Sequence, residues 1–191
     1  DPKEIIFTSG GTESDNLAVF GSSYANRSKD THIITSQIEH HAVLNSFHQL
    51  EKNGFEVTYL PVDSYGCVSI DGFKKALRKE TILASIMHSN NEVGTIQPID
   101  EIAEICADKG IIFHTDAVQS AGKIKFNMQK NKINLLSLTA HKFYGPKGIG
   151  VLYIRKGTKI NQLQFGGHHE FRRRAGTENT PGIIGLAKAM E

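Results

Sequence analysis

The feature that most constrains the fold of this chain is a regular alternation of strand-like and helix-like segments. Short β-rich runs occur at residues 5–8, 31–35, 55–62, 81–87, 111–114, 134–138 and 150–155. Apolar residues at helical spacing follow the first run (Leu17, Phe20, Tyr24) and recur at about 40–52, 70–78, 99–109 and 181–190. Such alternation predicts an α/β domain with a mainly parallel sheet.

The run at residues 81–87 is almost entirely apolar, as expected for a strand that is covered on both faces. In sheets of this kind, ligands bind outside the carboxyl ends of the strands. The residues that follow each predicted strand are therefore the candidates for a functional site.

Composition narrows the classes of function. Lys and Arg number 22 and Asp and Glu 20, so the net charge of +2 gives little attraction to nucleic acid or an anionic membrane. No apolar run approaches the roughly 20 residues of a membrane span. Two cysteines, Cys67 and Cys106, are too few for a disulfide framework, which predicts a reducing, cytoplasmic location.

A glycine-rich turn, Ser9 to Thr12, follows the first predicted strand and opens a helix. Glycine allows close backbone approach, and the free N–H groups of a helix N-terminus favour phosphate. A plain tight turn with Thr12 as the helix N-cap is the alternative. The spacing of a P-loop is absent.

Polar clusters follow the second and fourth predicted strands. Glu39, His40 and His41 suggest a metal site, but adjacent helical residues point about 100° apart and rarely chelate together. An imidazole lying flat on a cofactor ring is the favoured interpretation of His40, and no metal is expected. The cluster from His88 to Thr95, which includes Asn91, is either a functional loop or an Asn-rich turn before Pro98.

Asp116 and Lys142 follow the fifth and sixth predicted strands. A buried Asp needs a partner, and the protonated ring nitrogen of pyridoxal 5'-phosphate (PLP) is one; a helix N-cap or a buried ion pair is the alternative. A desolvated lysine forms Schiff bases, although Lys142 taken alone suits a solvated loop. Because one PLP site accounts for all the candidates together, the sequence predicts a PLP enzyme.

The motifs that carry these residues resemble those of the cysteine desulfurases, which are fold-type I PLP enzymes of the class V aminotransferase family. The matching segments are Phe7 to Asn16, Glu39 to Leu44, Asn90 to Pro98, His114 to Ser120, Thr139 to Lys142 and Arg173 to Asn179. The resemblance implies a three-layer PLP-transferase large domain with a seven-stranded mixed sheet between helices.

The resemblance also implies a role for each candidate residue. Lys142 would bind PLP covalently and move protons, and His40 would stack on the ring. Asp116 would pair with the ring nitrogen, Gln119 with the phenolic oxygen, and Asn91 with that oxygen and the substrate carboxylate. The phosphate would be surrounded by Gly11, Thr12, Thr139 and His141. Thr177 would reach the phosphate of the neighbouring subunit, which implies a homodimer.

The implied reaction converts L-cysteine to L-alanine and passes sulfur to a protein cysteine, for iron–sulfur cluster assembly or tRNA thiolation through an acceptor such as an iron–sulfur scaffold. We expect residues 1–191 to be the PLP-binding large domain of a longer enzyme. The persulfide-forming cysteine and the substrate-carboxylate arginine of the family would lie in a small C-terminal domain, so this chain alone is expected to be inactive. Cys67 and Cys106 are interpreted as packed or incidental thiols.

Three alternative functions remain. Another class V PLP enzyme, such as a selenocysteine lyase or an aminotransferase, would use the same site. A nucleic-acid-binding module is suggested by Arg172 to Arg174, and a metal hydrolase by the doublets His40-His41 and His168-His169. The small net charge argues against nucleic acid as a partner.

Overall fold

The computed structural model of the chain describes residues 1–27 and 31–191. Its strands are β1 (Ile5–Thr8), β2 (His32–Ser36), β3 (Glu56–Leu60), β4 (Thr81–Ser85), β5 (Ile112–Asp116), β6 (Leu135–Thr139) and β7 (Gly150–Ile154). Its α-helices are α1 (Gly11–Ala25), α2 (His41–Lys52), α3 (Ile70–Ala76), α4 (Ile99–Asp108) and α5 (Thr180–Met190). Short 3₁₀ helices occupy Pro2–Glu4, Ala140–Phe143 and Glu170–Arg172.

The strands form one seven-stranded mixed sheet in the order β1-β7-β6-β5-β4-β2-β3. The pairs among β2, β3, β4, β5 and β6 are parallel. Strand β7 runs antiparallel to both β1 and β6. Consequently β1 points the same way as β6, and its carboxyl end lies at the same sheet edge as those of the parallel strands. The predicted α/β class and the mainly parallel, mixed sheet are confirmed.

Helices cover both faces of the sheet, which gives three layers. Helices α1 and α2 pack on one face through side chains such as Val19, Phe47 and Leu50. Helices α3, α4 and α5 supply Phe73, Ile102 and Leu186 to the core on the other face. None of the helices in the described part of the chain is long and apolar enough to cross a membrane.

The boundaries of several elements differ from the sequence-based prediction. Strand β5 extends to Asp116, although the apolar run that predicted it ends at His114, because Thr115 and Asp116 continue the parallel pairing to β6. Helix α2 starts at His41, and His40 is its N-cap, with its Nδ1 accepting the N–H of Ala42 at 3.1 Å. Lys142 lies in a 3₁₀ helix, Ala140–Phe143, that follows β6 directly.

Candidate active site

A cavity of about 310 Å³ lies at the sheet edge where the carboxyl ends of β1, β5 and β6 meet. Every candidate cofactor-binding residue except Thr177 lines it. They are Gly11, Thr12, His40, Asn91, Asp116, Gln119, Thr139, His141 and Lys142. Asp15, Met87 and Val118 complete the lining. Side chains separated by more than a hundred residues in the sequence are thus brought together by the parallel strand order.

The glycine-rich turn forms one wall of this cavity. Gly10 is the N-cap of α1, so the alternative in which Thr12 caps the helix is wrong: Thr12 lies in the first helical turn. The side of Gly11 faces Val118, whose Cγ2 lies 2.8 Å from the position that a Cβ on Gly11 would occupy. Because the first backbone N–H groups of a helix lack intrahelical partners, this wall can bind an anion.

The hydroxyl of Thr139 faces this helix terminus from the end of β6. Its Oγ1 donates to the carbonyl of Ile149 at 3.1 Å and lies 3.2 Å from Nδ1 of His141. The next side chain along the chain, Lys142, is exposed and lines the cavity. Its neighbours Ala140 and Phe143 are buried, so the backbone that carries the amine is fixed by the core.

Asp116 is a buried acid of the cavity, with 5% of its surface exposed. Burial raises the pKa of its carboxyl, while the N–H of Val118, which donates to Oδ1 at 2.8 Å, opposes this shift. The charges of His40 and Lys142 also lower the pKa of Asp116. Asp116 is therefore a buried carboxylate placed to bind a cationic or N–H-donating group.

The polar groups that line the cavity fit the functional groups of PLP. An anion-binding helix terminus with two hydroxyls suits the phosphate, and a buried carboxylate suits the ring N–H. An amine in the cavity suits the aldehyde. The amides of Asn91 and Gln119 can bind a phenolic oxygen, and the volume lies within the usual range of small-molecule sites.

The structure places Thr177 away from this cavity. It lines a separate cleft of about 130 Å³ with Phe7, Ser9, Gly148 and Arg174 among others, and its side chain is exposed. No local pattern in the sequence indicates the contact that fixes this segment. Arg174 binds Glu13 in two places, with Nε to Oε1 at 2.7 Å and an η-nitrogen to Oε2 at 3.2 Å.

Two of the three arginines in the basic run have structural partners. Arg173 donates to the carbonyl of Lys3 at 3.0 Å, and Arg174 binds Glu13 as above, which leaves little of this run for a polyanion. Within residues 1–27 and 31–191, no group of three or more His, Cys, Asp or Glu side chains is arranged to hold a metal ion.

Neither cysteine lines the cavity. Cys106 is fully buried in the core on the α4 side of the sheet, and burial raises the pKa of its thiol to about 12. Cys67 is half-buried beside the turn that precedes α3. Because the pKa of the Cys106 thiol is so high, Cys106 is not a nucleophile at neutral pH, since only the thiolate reacts.

With this geometry in view, comparison with known proteins decides the family. Residues 1–191, the whole chain, match the sequence profile of the family described as Aminotransferase class-V.

The chain belongs to the class-V aminotransferase family.

Among curated relatives, the chain is similar to the cysteine desulfurase IscS of Dictyoglomus turgidum, with 62% identity over 98% of this chain and 48% of that protein. It is also similar to the cysteine desulfurase IscS of Methanosarcina thermophila, with 61% identity over 100% of this chain and 47% of that protein. The chain thus spans about half the length of the curated relatives that it matches.

Solved structures support the same fold. A NifS-like protein superimposes with a TM-score of 0.96 at 46% identity, covering 100% of this chain and 53% of its own. A structure described as SspA in complex with cysteine gives a TM-score of 0.96 at 44% identity, covering 100% of this chain and 55% of its own. The arrangement of a seven-stranded sheet between two layers of helices is therefore shared with these solved structures.

Proposed function

We propose that this chain is the PLP-binding domain of a cysteine desulfurase. The observation that carries the proposal is the convergence of Lys142, Asp116 and the N-terminus of α1 on one cavity. The similarity to IscS proteins supports cysteine as the substrate, as does the likeness to a structure described as a complex with cysteine. The reaction would convert L-cysteine and a protein thiol to L-alanine and a protein persulfide, which balances in atoms and electrons.

When bound, PLP supplies an electron sink that stabilises negative charge developing at the α-carbon of an amino acid. The residues of this chain hold and orient it. The free N–H groups at Gly11 and Thr12, with the hydroxyls of Thr12 and Thr139 and the imidazole of His141, would bind the phosphate. Asp116 would accept the ring N–H, and the buried site around this carboxylate strengthens that charge-assisted hydrogen bond.

Lys142 would carry the proton, and His40 would orient the ring. The Nζ of Lys142 would bind PLP covalently and, once the substrate amine has replaced it, would take the α-proton and return a proton to the product. His40 would lie against the ring face. Asn91 and Gln119, both amides, would bind the phenolic oxygen, and Asn91 would also contact the substrate carboxylate.

The remaining parts of the proposal concern the rest of the assembly. We propose that Thr177 reaches the phosphate of a second subunit in a homodimer, since it is exposed and lines none of its own chain's cofactor cavity. We propose that the sulfur-accepting thiol and the substrate-carboxylate arginine come from a separate C-terminal domain. An acceptor such as an iron–sulfur scaffold, in the cytoplasm, would then receive the sulfur.

Product analysis tests this function. The longer enzyme that includes the proposed C-terminal domain, with PLP and a reductant, should release L-alanine and sulfide in equal amounts from L-cysteine, and Lys142→Ala should abolish both. Lys147→Ala, an exposed lysine in the following turn, is the matched control and should keep the activity. Transfer of the amino group to a keto acid, or turnover of selenocysteine with none of cysteine, would instead identify another class V activity. Residues 1–191 alone, with PLP, are expected to release neither product.

A further inference from the structure

A second buried acid, Asp15, lines the proposed cofactor cavity beside Asp116. It lies in the second turn of α1, and only 1% of its surface is exposed. Among the described residues, Oδ1 of Asp15 has no hydrogen-bond partner. A buried carboxyl oxygen without a partner is costly, so its presence in a ligand cavity calls for a role.

The neighbouring imidazole of His114 does not neutralise Asp15. Its Nε2 lies 3.7 Å from Oδ1 of Asp15, beyond hydrogen-bonding distance, and 3.0 Å from Oγ of Ser137. Its Nδ1 lies 2.8 Å from Oγ of Ser85. Burial lowers the pKa of His114 to about 3, so the imidazole is neutral at physiological pH. The two side chains therefore do not form an ion pair.

The ionisable groups on the elements next to α1 affect the pKa of Asp15. Strand β5 contributes His114 and Asp116, and the residue two before α2 is the buried Glu39. Strands β1, β4 and β7 carry no Asp, Glu, Lys, Arg or His. Burial first, and then the charges of Asp116 and Glu39, raise the pKa of Asp15 well above its usual range, with the Ser137 hydroxyl opposing.

Asp116 has the more favourable surroundings for a negative charge. The Val118 N–H and the charges of His40 and Lys142 all lower the pKa of Asp116 against the effect of burial. Two neighbouring buried carboxyls cannot both ionise without a large penalty, so a pair of this kind holds one proton. Unequal surroundings decide which member carries it.

We propose that Asp15 is a positioning residue that holds the single proton of the Asp15–Asp116 pair, so that Asp116 stays ionised and accepts the ring N–H of PLP. This inference rests on the proposed function, because it takes PLP as the ligand. Asp15 then acts through Asp116. A second anion in the cavity would repel the phosphate and the phenolic oxygen of the cofactor, and the neutral acid avoids this repulsion.

The test compares Asp15→Asn with Asp116→Asn, since the amide reproduces the shape of a protonated acid and carries no charge. PLP affinity is measured by absorbance titration of the cofactor-free protein. Near neutral pH, Asp15→Asn should bind PLP within about twofold of the parent, whereas Asp116→Asn should bind at least about tenfold more weakly, since it loses a hydrogen bond to a charged group.

The pH profile separates a proton-holding role from a merely structural one. As pH rises, ionisation of Asp15 should weaken PLP binding by the parent but not by Asp15→Asn. The PLP affinity of Asp15→Asn divided by that of the parent should therefore rise with pH. Above the pKa of Asp15, it should rise by up to about tenfold per pH unit. The pH-dependent effects of all other groups, which are common to both proteins, cancel in this ratio.

A second measurement needs no cofactor. Because Asp15 is neutral when folded and ionised when unfolded, the free energy of unfolding of the PLP-free parent should fall with rising pH more steeply than that of Asp15→Asn.

Three results would overturn the inference: equal damage by both substitutions, damage by Asp15→Asn alone, or a ratio and a stability difference that do not change with pH. Absence of PLP binding by the parent would refute the proposed function itself. If the parent binds PLP and one of those three results is found, only the inference about Asp15 fails.

Discussion

Arg174 donates two hydrogen bonds, of 2.7 and 3.2 Å, to the carboxylate of Glu13. The same carboxylate accepts a hydrogen bond from the backbone N–H of Ser9 at 2.7 Å, so it stabilises the conformation of the glycine-rich turn. This ion pair joins the first turn of α1 to the segment that carries Thr177. It also neutralises a negative charge that would otherwise lie next to the proposed phosphate site.

Removal of this arginine should affect both stability and PLP binding. We expect Arg174→Ala to lower the free energy of unfolding by about 1–3 kcal/mol, because the pair is only partly exposed and both hydrogen bonds involve charges. PLP affinity should fall as well, since the Glu13 charge is released near the phosphate. Denaturant unfolding and PLP titration measure the two effects.

A second substitution separates the two causes. Adding Glu13→Gln to Arg174→Ala should restore PLP affinity, because it removes the charge, without restoring stability. Arg172→Ala, at an exposed neighbour, serves as the control. Indistinguishable behaviour of Arg174→Ala and Arg172→Ala would refute a bracing role for the ion pair.

The contact between Gly11 and Val118 should be sensitive to a single methyl group. A Cβ on Gly11 would meet Cγ2 of Val118 at 2.8 Å, too close for ordinary packing. Gly11→Ala should therefore destabilise the protein by about 1–3 kcal/mol and weaken PLP binding. Val118→Ala in the same protein should relieve the clash and restore much of both. Failure of the double variant to recover would mean that Gly11 is required for another reason.

Glu39 should make stability fall as pH rises. Burial raises the pKa of its carboxyl from 4.5 to about 8, although Ser36 and the N–H of Met87 both donate to Oε1. The unfolded chain ionises first, so between these values the free energy of unfolding decreases with pH, by at most about 1.4 kcal/mol per unit. The effect is absent below 4.5 and complete above about 8.

Glu39→Gln checks this dependence, because the amide can keep both hydrogen bonds through its oxygen but cannot ionise. Its unfolding free energy should vary less across this pH window than that of the parent. Glu92→Gln, an exposed acid in the loop after β4, is a suitable control and should leave the profile unchanged. Parallel profiles for the parent and Glu39→Gln would contradict a neutral buried Glu39.

The two cysteines should differ in reactivity and should both be dispensable for PLP binding. Cys67, which is half-buried, should react with iodoacetamide in the folded protein, whereas Cys106 should react only after unfolding. Cys67→Ser should bind PLP as the parent does. Mass spectrometry of the alkylated protein checks the first expectation. Rapid modification of Cys106 in the native state would show that the core around α4 opens.

The sequence predicted the fold well because its signals are local. Strand β4 is apolar enough to require cover on both faces, and the carboxyl ends of parallel strands meet at one edge whatever connects them. That rule brought Asp116 and Lys142 together before their geometry was known. It could not show that Asp116 is the last residue of β5, since a polar residue there interrupts the pattern.

Contacts between distant side chains left no comparable signal. Glu13 and Arg174 are 161 residues apart, and nothing in either local pattern pairs them. The segment before Arg174 is also unusual, since Glu170, Phe171 and Arg172 all have positive φ, which costs about 1–2 kcal/mol per non-glycine residue. Asp15 could have been found, because a charged residue beside Leu17 and Ala18 breaks the buried face of α1.

The central claim is that Lys142 lies in a PLP site, and the absorption spectrum after addition of PLP tests it most directly. The parent should develop the long-wavelength band of a covalently bound cofactor, and this band should persist in Lys147→Ala and vanish in Lys142→Ala. A parent protein that never shows the band, or a Lys142→Ala variant that develops it to the same extent as the parent, would contradict the account.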